Sequence, residues 1–265
     1  MRARSLIVSL ISAFLIIISL SCKKQHNAEC GEQDHLIMSV LWFQRSAENR
    51  ALFLQGYNIA AMRLRDMASN PGAARPGAIV ADLDETILDN SPFEAWQVLT
   101  GGEFTDENWK VWTDGAEAEP LPGALEFVRE AERLGYEVFY VSNRSMKDAF
   151  LPTLDNLRKY GFPFADSAHL LLKEGQSSKV ERRNRIMETH DIVLLIGDNL
   201  ADLDAVFEKR DRSGGAENVD SLASLFGDSY IVMPNPMYGS WVNPALDEDQ
   251  KASYRERLVR GLTSF

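Results

Sequence analysis

Five short runs of apolar residues recur along the chain from residue 77 onwards. Continuous runs of this length are typical of strands that are buried on both faces of a parallel sheet. They occupy residues 77–82, 137–143, 168–172, 191–198 and 229–233. Stretches with apolar residues at helical spacing lie between them, at residues 123–134, 148–159 and 179–188. The alternation predicts an α/β fold, with a Rossmann-like parallel sheet and helices on both faces.

Two segments depart from this alternation. Residues 36–68 carry apolar side chains at helical spacing and end at an Asn-Pro-Gly sequence. This pattern predicts an N-terminal helical extension. Residues 88–120 interrupt the order of strands and helices and carry three tryptophans. We expect this second segment to form a small helical cap over the functional site.

The first residues of the chain have the pattern of a secretory signal peptide. Arg2 and Arg4 precede an apolar run over residues 6–20. That run is shorter than the roughly 20 residues that a membrane-spanning helix needs. We therefore expect a signal peptide over residues 1–21. A membrane anchor that is never cleaved is the alternative.

The end of the apolar run resembles the bacterial lipobox, because a small residue stands directly before Cys22, although Ser19 departs from the usual leucine. We expect lipidation of Cys22, a polar tether over residues 22–34 and one domain over residues 35–265. The chain would then be a lipoprotein of the bacterial cell envelope, held in the outer membrane and facing the periplasm or the cell surface. If Cys22 is lipidated, Cys30 has no disulfide partner. If Cys22 is not lipidated, a disulfide between Cys22 and Cys30 can form.

The charge balance excludes one broad class of partner. The chain has 28 Lys and Arg against 39 Asp and Glu, a net charge of −11 at pH 7. Phosphate backbones favour an excess of positive charge, so we expect no nucleic-acid polymer as a partner. A small anionic substrate in a locally positive or metal-charged pocket remains compatible with this charge.

Asp82 and Asp84 are the first candidates for chemistry. Sites in parallel sheets lie at the carboxyl ends of strands, and Asp82, Asn143 and Asp198 each end an apolar run. Residues two apart on a strand face the same way, so the two carboxylates approach one point. A cation relieves such repulsion, and phosphoryl transfer needs a nucleophile, an acid and Mg²⁺. The alternative is a helix N-terminus that Asp84 or Thr86 caps.

Four further features are compatible with a phosphate site. The segment Ser142–Arg144 supplies a hydroxyl, an amide and a guanidinium, although such residues also form turns and caps. Lys179 precedes a helix and offers a point charge, but composition alone favours a solvated face. Asp198 and Asp202 are either oxygen ligands for Mg²⁺ or part of an Asx turn. Tyr238, after the fifth run, either stacks on a flat ring or packs within its loop.

The order of these motifs resembles the haloacid dehalogenase superfamily of aspartate-nucleophile phosphatases. The motifs are D-x-D-x-T at 82–86, S-N-R at 142–144, Lys179, and G-D-x-x-x-D at 197–202. A longer match over about residues 41–241 resembles the bacterial class C acid phosphatases of the lipoprotein e type. It includes Ser46 with Glu48, residues 81–92, Trp109 with Trp112, and Pro234 and Asn235 with Tyr238 and Trp241.

This resemblance implies a role for each residue of the site. Asp82 is expected to be the nucleophile and a metal ligand. Asp84 is expected to be the general acid and base and to bind the metal through its main-chain carbonyl. Asp198 is expected to be the third ligand of Mg²⁺, with Asp202 supporting the water shell of the ion. The expected phosphate or substrate contacts are Ser142, Asn143, Arg144 and Lys179, and the expected aromatic pair around a flat ring is Trp109 and Tyr238.

The resemblance also implies a function, that of a magnesium-dependent acid phosphatase. Members of the family hydrolyse 5′-nucleotides, nicotinamide mononucleotide and aryl phosphates, and the expected reaction passes through an aspartyl-phosphate. Two alternatives stay open. One is a phosphotransferase or mutase on the same fold, and the other is a surface lipoprotein that binds a nucleotide or cofactor without chemistry. The sequence leaves the oligomeric state open, a homodimer included.

Overall fold

The structure is a computed structural model that describes residue 31 and residues 33–69, 75–210 and 213–265. The predicted signal peptide over residues 1–21, together with Cys22 and Cys30, lies outside the described residues. Within the described ranges, no helix is both long enough and apolar enough to cross a bilayer.

A five-stranded sheet forms the centre of the fold. The strands of the chain are β1 (Gly77–Ala81), β2 (Leu88–Asp89), β3 (Glu119–Pro120), β4 (Glu137–Ser145), β5 (Leu170–Lys173), β6 (Asp191–Gly197) and β7 (Tyr230–Val232). The central sheet has the order β5-β4-β1-β6-β7, and all of its neighbouring strands are parallel. Each of the five apolar runs overlaps one of these strands, so the predicted parallel sheet is confirmed.

Helices cover both faces of this sheet, as the sequence pattern predicts. They are α1 (Ile37–Arg45), α2 (Ala47–Ser69), α3 (Ser91–Thr100), α4 (Asp106–Asp114), α5 (Ala124–Arg133), α6 (Met146–Tyr160), α7 (Val180–Met187), α8 (Leu200–Leu203), α9 (Ala216–Ser221), α10 (Val242–Ala245) and α11 (Tyr254–Arg260). On one face, Ile79 belongs to a core that includes Tyr57 of α2 and Phe127 of α5. On the other face, Val80 packs in a smaller cluster with Ile186 of α7.

The predicted N-terminal helical extension consists of two helices, α1 and α2. The predicted stretch over residues 36–68 breaks at Ser46, whose backbone is extended, with ψ at 137°. The hydroxyl of Ser46 accepts a hydrogen bond from the backbone N–H of Asn49 at 3.0 Å. A serine that satisfies a free N–H in this way starts a new helix, which explains the break.

The fifth strand of the chain also differs from its predicted bounds. It begins at Leu170 instead of residue 168 because Asp166 forms a turn there. Its Oδ1 accepts hydrogen bonds from the backbone N–H groups of Ala168, at 2.8 Å, and His169, at 3.1 Å. Side-chain acceptors of this kind compete with the sheet for backbone donors, so the ladder starts after them.

The segment between β1 and α5 forms a small insert. Strands β2 and β3 pair in antiparallel fashion at its base, and helices α3 and α4 lie between them. The ring of Phe93 on α3 lies 5.1 Å from that of Trp109 on α4, edge to face. This aromatic contact packs the two helices of the insert against each other.

The order of the strands determines where a site can form. From β1 the chain moves outward to β4 and β5, and then returns to β6 on the other side of β1. In parallel sheets the crevice at such a reversal, at the carboxyl ends of the strands, is where ligands bind. Asp82 follows β1 and Asp198 follows β6, so both lie at this crevice.

Candidate active site

A tight loop after β1 sets the geometry of the D-x-D motif. The backbone N–H of Asp82 donates to the carbonyl of Ile196 on β6 at 2.9 Å, which keeps this residue at the sheet. Glu85 then adopts a left-handed conformation, with φ at 54°. Its buried carboxylate accepts a hydrogen bond from the backbone N–H of Asn90 at 2.7 Å, which closes the loop. Burial raises the pKa of Glu85 well above its usual value.

Asp84 is held by hydrogen-bond donors from two other segments. Its Oδ1 accepts from Nε of Arg144 at 2.8 Å and from Nδ2 of Asn90 at 2.9 Å. Its Oδ2 accepts from the hydroxyl of Ser142 at 3.1 Å. These contacts fix the direction of a carboxyl group that lies at the edge of the cavity.

Arg144 lines the cavity, but its guanidinium is held by several contacts within the protein. It is 2% exposed, and besides Asp84 its guanidinium donates to the hydroxyl of Thr153 at 3.1 Å and to Oδ1 of Asn90 at 3.2 Å. Its Cζ also lies 5.7 Å from the ring centre of Trp109. The family resemblance implies that Arg144 contacts phosphate. In the structure its guanidinium donates hydrogen bonds to Asp84, so Arg144 also fixes the orientation of that carboxyl group.

Lys179 lies inside the site and not on a solvated face. It is 4% exposed, and its Nζ lies 2.5 Å from Oδ1 of Asp82 and 2.7 Å from Oδ1 of Asp202. These two carboxylates raise the pKa of Lys179 in spite of its burial, so it stays charged. The ammonium therefore compensates part of the negative charge at the ends of β1 and β6.

Three carboxylates converge beside Lys179. Asp82, Asp198 and Asp202 each place an oxygen so that the three oxygens lie within 4.8 Å of one another. Burial raises the pKa of Asp82 to about 7, partly opposed by Lys179, and it raises the pKa of Asp198 as well, with Asp202 and Asp82 adding to the effect. Hard oxygen donors whose charge is only partly compensated suit a divalent cation such as Mg²⁺. Asp202 therefore belongs to the same cluster as Asp82 and Asp198, the two carboxylates that the resemblance assigns to the metal.

Several contacts hold this cluster in place. Nδ2 of Asn235 donates to Oδ2 of Asp198 at 2.8 Å. Oδ2 of Asp202 accepts from the backbone N–H of Asn199 at 3.1 Å, in a capping box at the start of α8. A Cβ atom on Gly197 would lie 2.6 Å from the Cβ of Asp202, so only glycine allows this approach. The glycine of the G-D-x-x-x-D motif is therefore a steric requirement of the cluster.

Arg182 is a residue of the site that the sequence pattern does not reveal. Its guanidinium donates to the carbonyl of Ser142 at 2.6 Å and to Oδ1 of Asn143 at 2.7 Å. It also donates to the carbonyls of Ser177 and Ser178, directly before Lys179. It therefore links the loop after β4 to the loop that carries Lys179. An arginine near the start of a helix has no sequence signal for such a role.

Asn90 and Asn235 are two further residues that sequence reasoning did not single out for a role. Asn90 contacts Asp84, and its Oδ1 accepts a hydrogen bond from Nε1 of Trp112 at 2.8 Å. Asn235 contacts Asp198 and lies three residues after the end of β7. Their positions, one at the N-cap of α3 and one after a strand, are the signals that could have indicated them.

The two aromatic residues of the proposed pair line one cavity with the carboxylates. The cavity has a volume of about 1250 Å³, and Asp82, Asp198, Lys179, Trp109 and Tyr238 all contribute to its wall. Trp109 comes from the insert and Tyr238 from the loop after β7. The insert and the sheet therefore enclose the space in front of the acidic cluster.

Two solved structures are similar to this chain. The class C acid phosphatase from Bacillus anthracis is 38% identical, with a TM-score of 0.82 over 89% of this chain and 99% of that chain. The structure of the class C acid phosphatase from Bacillus anthracis with tungstate bound is also 38% identical, with a TM-score of 0.81 over 88% and 98%.

Two curated plant proteins are more distant relatives. Acid phosphatase 1 of Solanum lycopersicum is 28% identical over 168 residues, and the stem 31 kDa glycoprotein of Glycine max is 28% identical over 163 residues. These alignments cover 60% and 59% of this chain and 57% of each relative. The chain thus spans less than two thirds of the length of these two proteins.

The family comparison covers most of the chain. Residues 18–241 match the family described as HAD superfamily, subfamily IIIB (Acid phosphatase). This match includes the D-x-D loop, the acidic cluster and the insert. The chain belongs to the acid phosphatases of subfamily IIIB of the HAD superfamily.

Proposed function

We propose that this protein is an acid phosphatase that hydrolyses phosphomonoesters through an aspartyl-phosphate at Asp82. The observation that carries the proposal is the position of Asp82, whose Oδ1 is held by Lys179 at 2.5 Å at the wall of a cavity large enough for a substrate. Membership of the acid phosphatase family and the tungstate bound to the Bacillus anthracis protein, an oxyanion shaped like phosphate, support it.

The first step forms one bond and breaks another. An oxygen of Asp82 attacks phosphorus, and the bond between phosphorus and the leaving oxygen breaks. Asp84, oriented by Arg144 and Ser142, gives its proton to that leaving oxygen. Lys179 offsets negative charge on the attacking carboxylate and on the transferred group.

The second step returns the enzyme to its starting state. Asp84, now ionised, takes a proton from a water molecule as that water attacks the phosphorus of the aspartyl-phosphate. The bond between phosphorus and Asp82 breaks, and inorganic phosphate leaves. Asp84 is protonated again, so the two carboxyl groups end the cycle as they began it.

Asp82 and Asp198 are the side chains that we propose as ligands of a divalent cation, with the main-chain carbonyl of Asp84 as a further ligand. Asp202, which lies beside them, is proposed to support the water shell of the ion. We propose Mg²⁺ because all of these donors are oxygens and few of them are needed. When bound, the cation supplies positive charge that stabilises the negatively charged phosphoryl group.

We propose that Trp109 and Tyr238 bind the leaving group of the substrate. Both rings line the cavity that contains the catalytic carboxylates. Stacking on a flat ring would favour 5′-nucleotides, nicotinamide mononucleotide and aryl phosphates over small alkyl phosphates. Asn143, Arg144 and Lys179 line this cavity and are the proposed phosphate contacts. Ser142 is fully buried, so its proposed contribution to phosphate binding passes through its hydrogen bond to Asp84.

For the location, we propose that the chain is a lipoprotein of the bacterial envelope, attached through Cys22. The apolar run that ends at this cysteine supports the proposal. Mass spectrometry of the N-terminus of the native protein tests it, because an unmodified Cys22 or a chain that still begins upstream of it is incompatible with lipidation.

The activity is tested with Asp82→Asn, which keeps the size of the side chain but removes the nucleophile. We expect the purified variant to lose nearly all hydrolysis of p-nitrophenyl phosphate with its melting temperature retained. Release of free phosphate without an added acceptor separates a phosphatase from a phosphotransferase. Wild-type protein that binds nucleotides but releases no phosphate would instead support a non-catalytic binding protein.

A further inference from the structure

Glu94 is a buried carboxylate that the proposed chemistry at Asp82 does not use. It lies on α3 of the insert, is 6% exposed, and lines the cavity that also contains Asp82 and Asp84. Gln97, three residues further along the helix and also buried, donates from Nε2 to Oε2 of Glu94 at 2.6 Å. A neutral partner therefore holds Glu94 at the wall of the cavity.

No cationic side chain of the described chain pairs with this carboxylate. Asp82 has Lys179 as its partner and Asp84 has Arg144, but the hydrogen bond from Gln97 is the one interaction that opposes the effect of burial on Glu94. Burial consequently raises the pKa of Glu94 to about 7. Because an uncompensated buried carboxylate costs free energy, a positive group on a ligand would be bound favourably here.

Helix α3 carries Glu94 close to Asn90, which contacts Asp84, the proposed proton donor. Asn90, at the N-cap of this helix, donates from Nδ2 to Oδ1 of Asp84 at 2.9 Å. Glu94 is four residues further along, which corresponds to roughly 6 Å along the axis on the same helix face. A substituent a few bonds from the scissile P–O bond of a substrate would therefore come close to Glu94.

Aromatic rings border this part of the cavity. Phe93, the residue before Glu94, contacts both Trp109, at 5.1 Å between ring centres, and Phe104, at 6.1 Å. Trp109 and Phe104 lie 5.8 Å apart, and both line the cavity together with Glu94. A carboxylate and aromatic rings that line one cavity are together suited to bind an ammonium cation, because both the charge and the rings attract a positive group.

We propose that Glu94 makes the enzyme prefer phosphomonoesters whose leaving alcohol carries a positively charged nitrogen a few bonds from the ester oxygen. The charged group lies between the carboxylate of Glu94 and the rings of Trp109 and Phe104. This inference rests on the proposed phosphatase activity and adds the charge of the leaving group to it. The bonds that form and break, and the proton that Asp84 transfers, are those of the proposed reaction.

The experiment compares two substrates that differ in one charge. Phosphocholine carries a quaternary ammonium, and 3,3-dimethylbutyl phosphate is its neutral carbon analogue of the same shape. At pH 8 with Mg²⁺, we expect wild-type kcat/KM to favour phosphocholine by about tenfold. In Glu94→Gln the preference should fall to within about twofold, mainly through KM, because glutamine keeps the shape but loses the charge. Glu107→Gln, which removes an exposed carboxylate from α4 of the same insert, should keep the wild-type preference.

A measurement on the wild-type protein avoids any dependence on how Glu94→Gln folds. Choline should inhibit hydrolysis of p-nitrophenyl phosphate at a lower concentration than 3,3-dimethylbutanol does. Equal inhibition by the two alcohols, equal kcat/KM for the two esters, or an unchanged preference in Glu94→Gln would overturn the inference. Failure to hydrolyse either ester or p-nitrophenyl phosphate would contradict the proposed function itself.

Discussion

The ammonium of Lys179 donates a hydrogen bond to Oδ1 of Asp82 at 2.5 Å, and both side chains are buried. The contact spans 97 positions of the sequence and joins the end of β1 to the loop before α7. It fixes one oxygen of the carboxylate and leaves the other for the attack on phosphorus that we propose. Lys179 also contacts Asp202, so one cation compensates two carboxylates of the acidic cluster.

Replacing Lys179 by methionine should reduce activity strongly. The substitution keeps a long side chain but removes the charge that offsets Asp82 and Asp202, so we expect kcat to fall by about 100-fold or more. Steady-state kinetics with p-nitrophenyl phosphate measures the effect. Lys147→Met, on the exposed surface of α6, is the matched control and should stay within about twofold of wild type. Near-normal turnover of Lys179→Met would show that its charge is not needed.

Arg182 should act on activity by positioning the loop after β4. Lysine at this position keeps the charge but cannot donate to both the carbonyl of Ser142 and Oδ1 of Asn143. We expect Arg182→Lys to lower kcat/KM by about tenfold, with KM for the substrate raised, because phosphate contacts shift by a fraction of an ångström. Arg185→Lys on the same helix, where the arginine is half exposed, is the control. Equal kinetics for the two variants would refute a positioning role for Arg182.

Gly197 should tolerate no side chain. A methyl group there would lie 2.6 Å from Cβ and Oδ2 of Asp202, so Gly197→Ala must displace part of the acidic cluster. We expect the free energy of unfolding to fall by about 1–3 kcal/mol and the affinity for Mg²⁺ to fall as well. Gly175→Ala is the control, because a Cβ there meets no atom within 4 Å. Chemical denaturation and a magnesium titration give both values, and a Gly197→Ala protein as stable and as tightly Mg²⁺-binding as wild type would contradict the steric argument.

The acidic cluster should make the stability of the metal-free protein depend on pH. Burial raises the pKa of Asp82 to about 7 and raises that of Asp198, whereas both groups ionise near 4 in the unfolded chain. The contribution of these groups is therefore fully present below about pH 4 and is lost as the pH rises towards 7. In EDTA the melting temperature should fall over this range, and the increase produced by Mg²⁺ should be larger at pH 8 than at pH 5. An increase of equal size at both pH values would argue against these carboxylates as the ligands.

The sheet could be predicted from the sequence because strands buried on both faces leave a continuous apolar signal. That signal also predicts that Asp82 and Asp198 both lie at the carboxyl ends of strands. The structure shows that these two strands are neighbours, which brings the two carboxylates together at the reversal of strand order. The break at Ser46 could not be predicted with the same ease, because its apolar spacing continues through the break. The extended backbone at this serine accompanies its hydrogen bond to the N–H of Asn49, a local contact that the apolar pattern does not report.

The side-chain contacts of the candidate site were less accessible to sequence reasoning. Lys179 and Arg182 belong to residue types that are usually exposed, so their burial depends on partners that lie far away in the sequence. Arg144 could face either a substrate or Asp84, and the strand-end pattern is the same in both cases. Glu94 lies within a helix of the insert whose sequence gives no signal that this glutamate is buried. Its burial follows from the packing of that insert over the cavity.

The most direct test of the central claim is to trap the phosphorylated enzyme. Wild-type protein is mixed with p-nitrophenyl phosphate and Mg²⁺, quenched in acid during turnover, and treated with borohydride, which reduces an acyl phosphate to an alcohol. Peptide mass spectrometry should then find homoserine in place of aspartate at position 82. An unmodified Asp82 in protein that was turning over, or homoserine at another aspartate, would contradict the account.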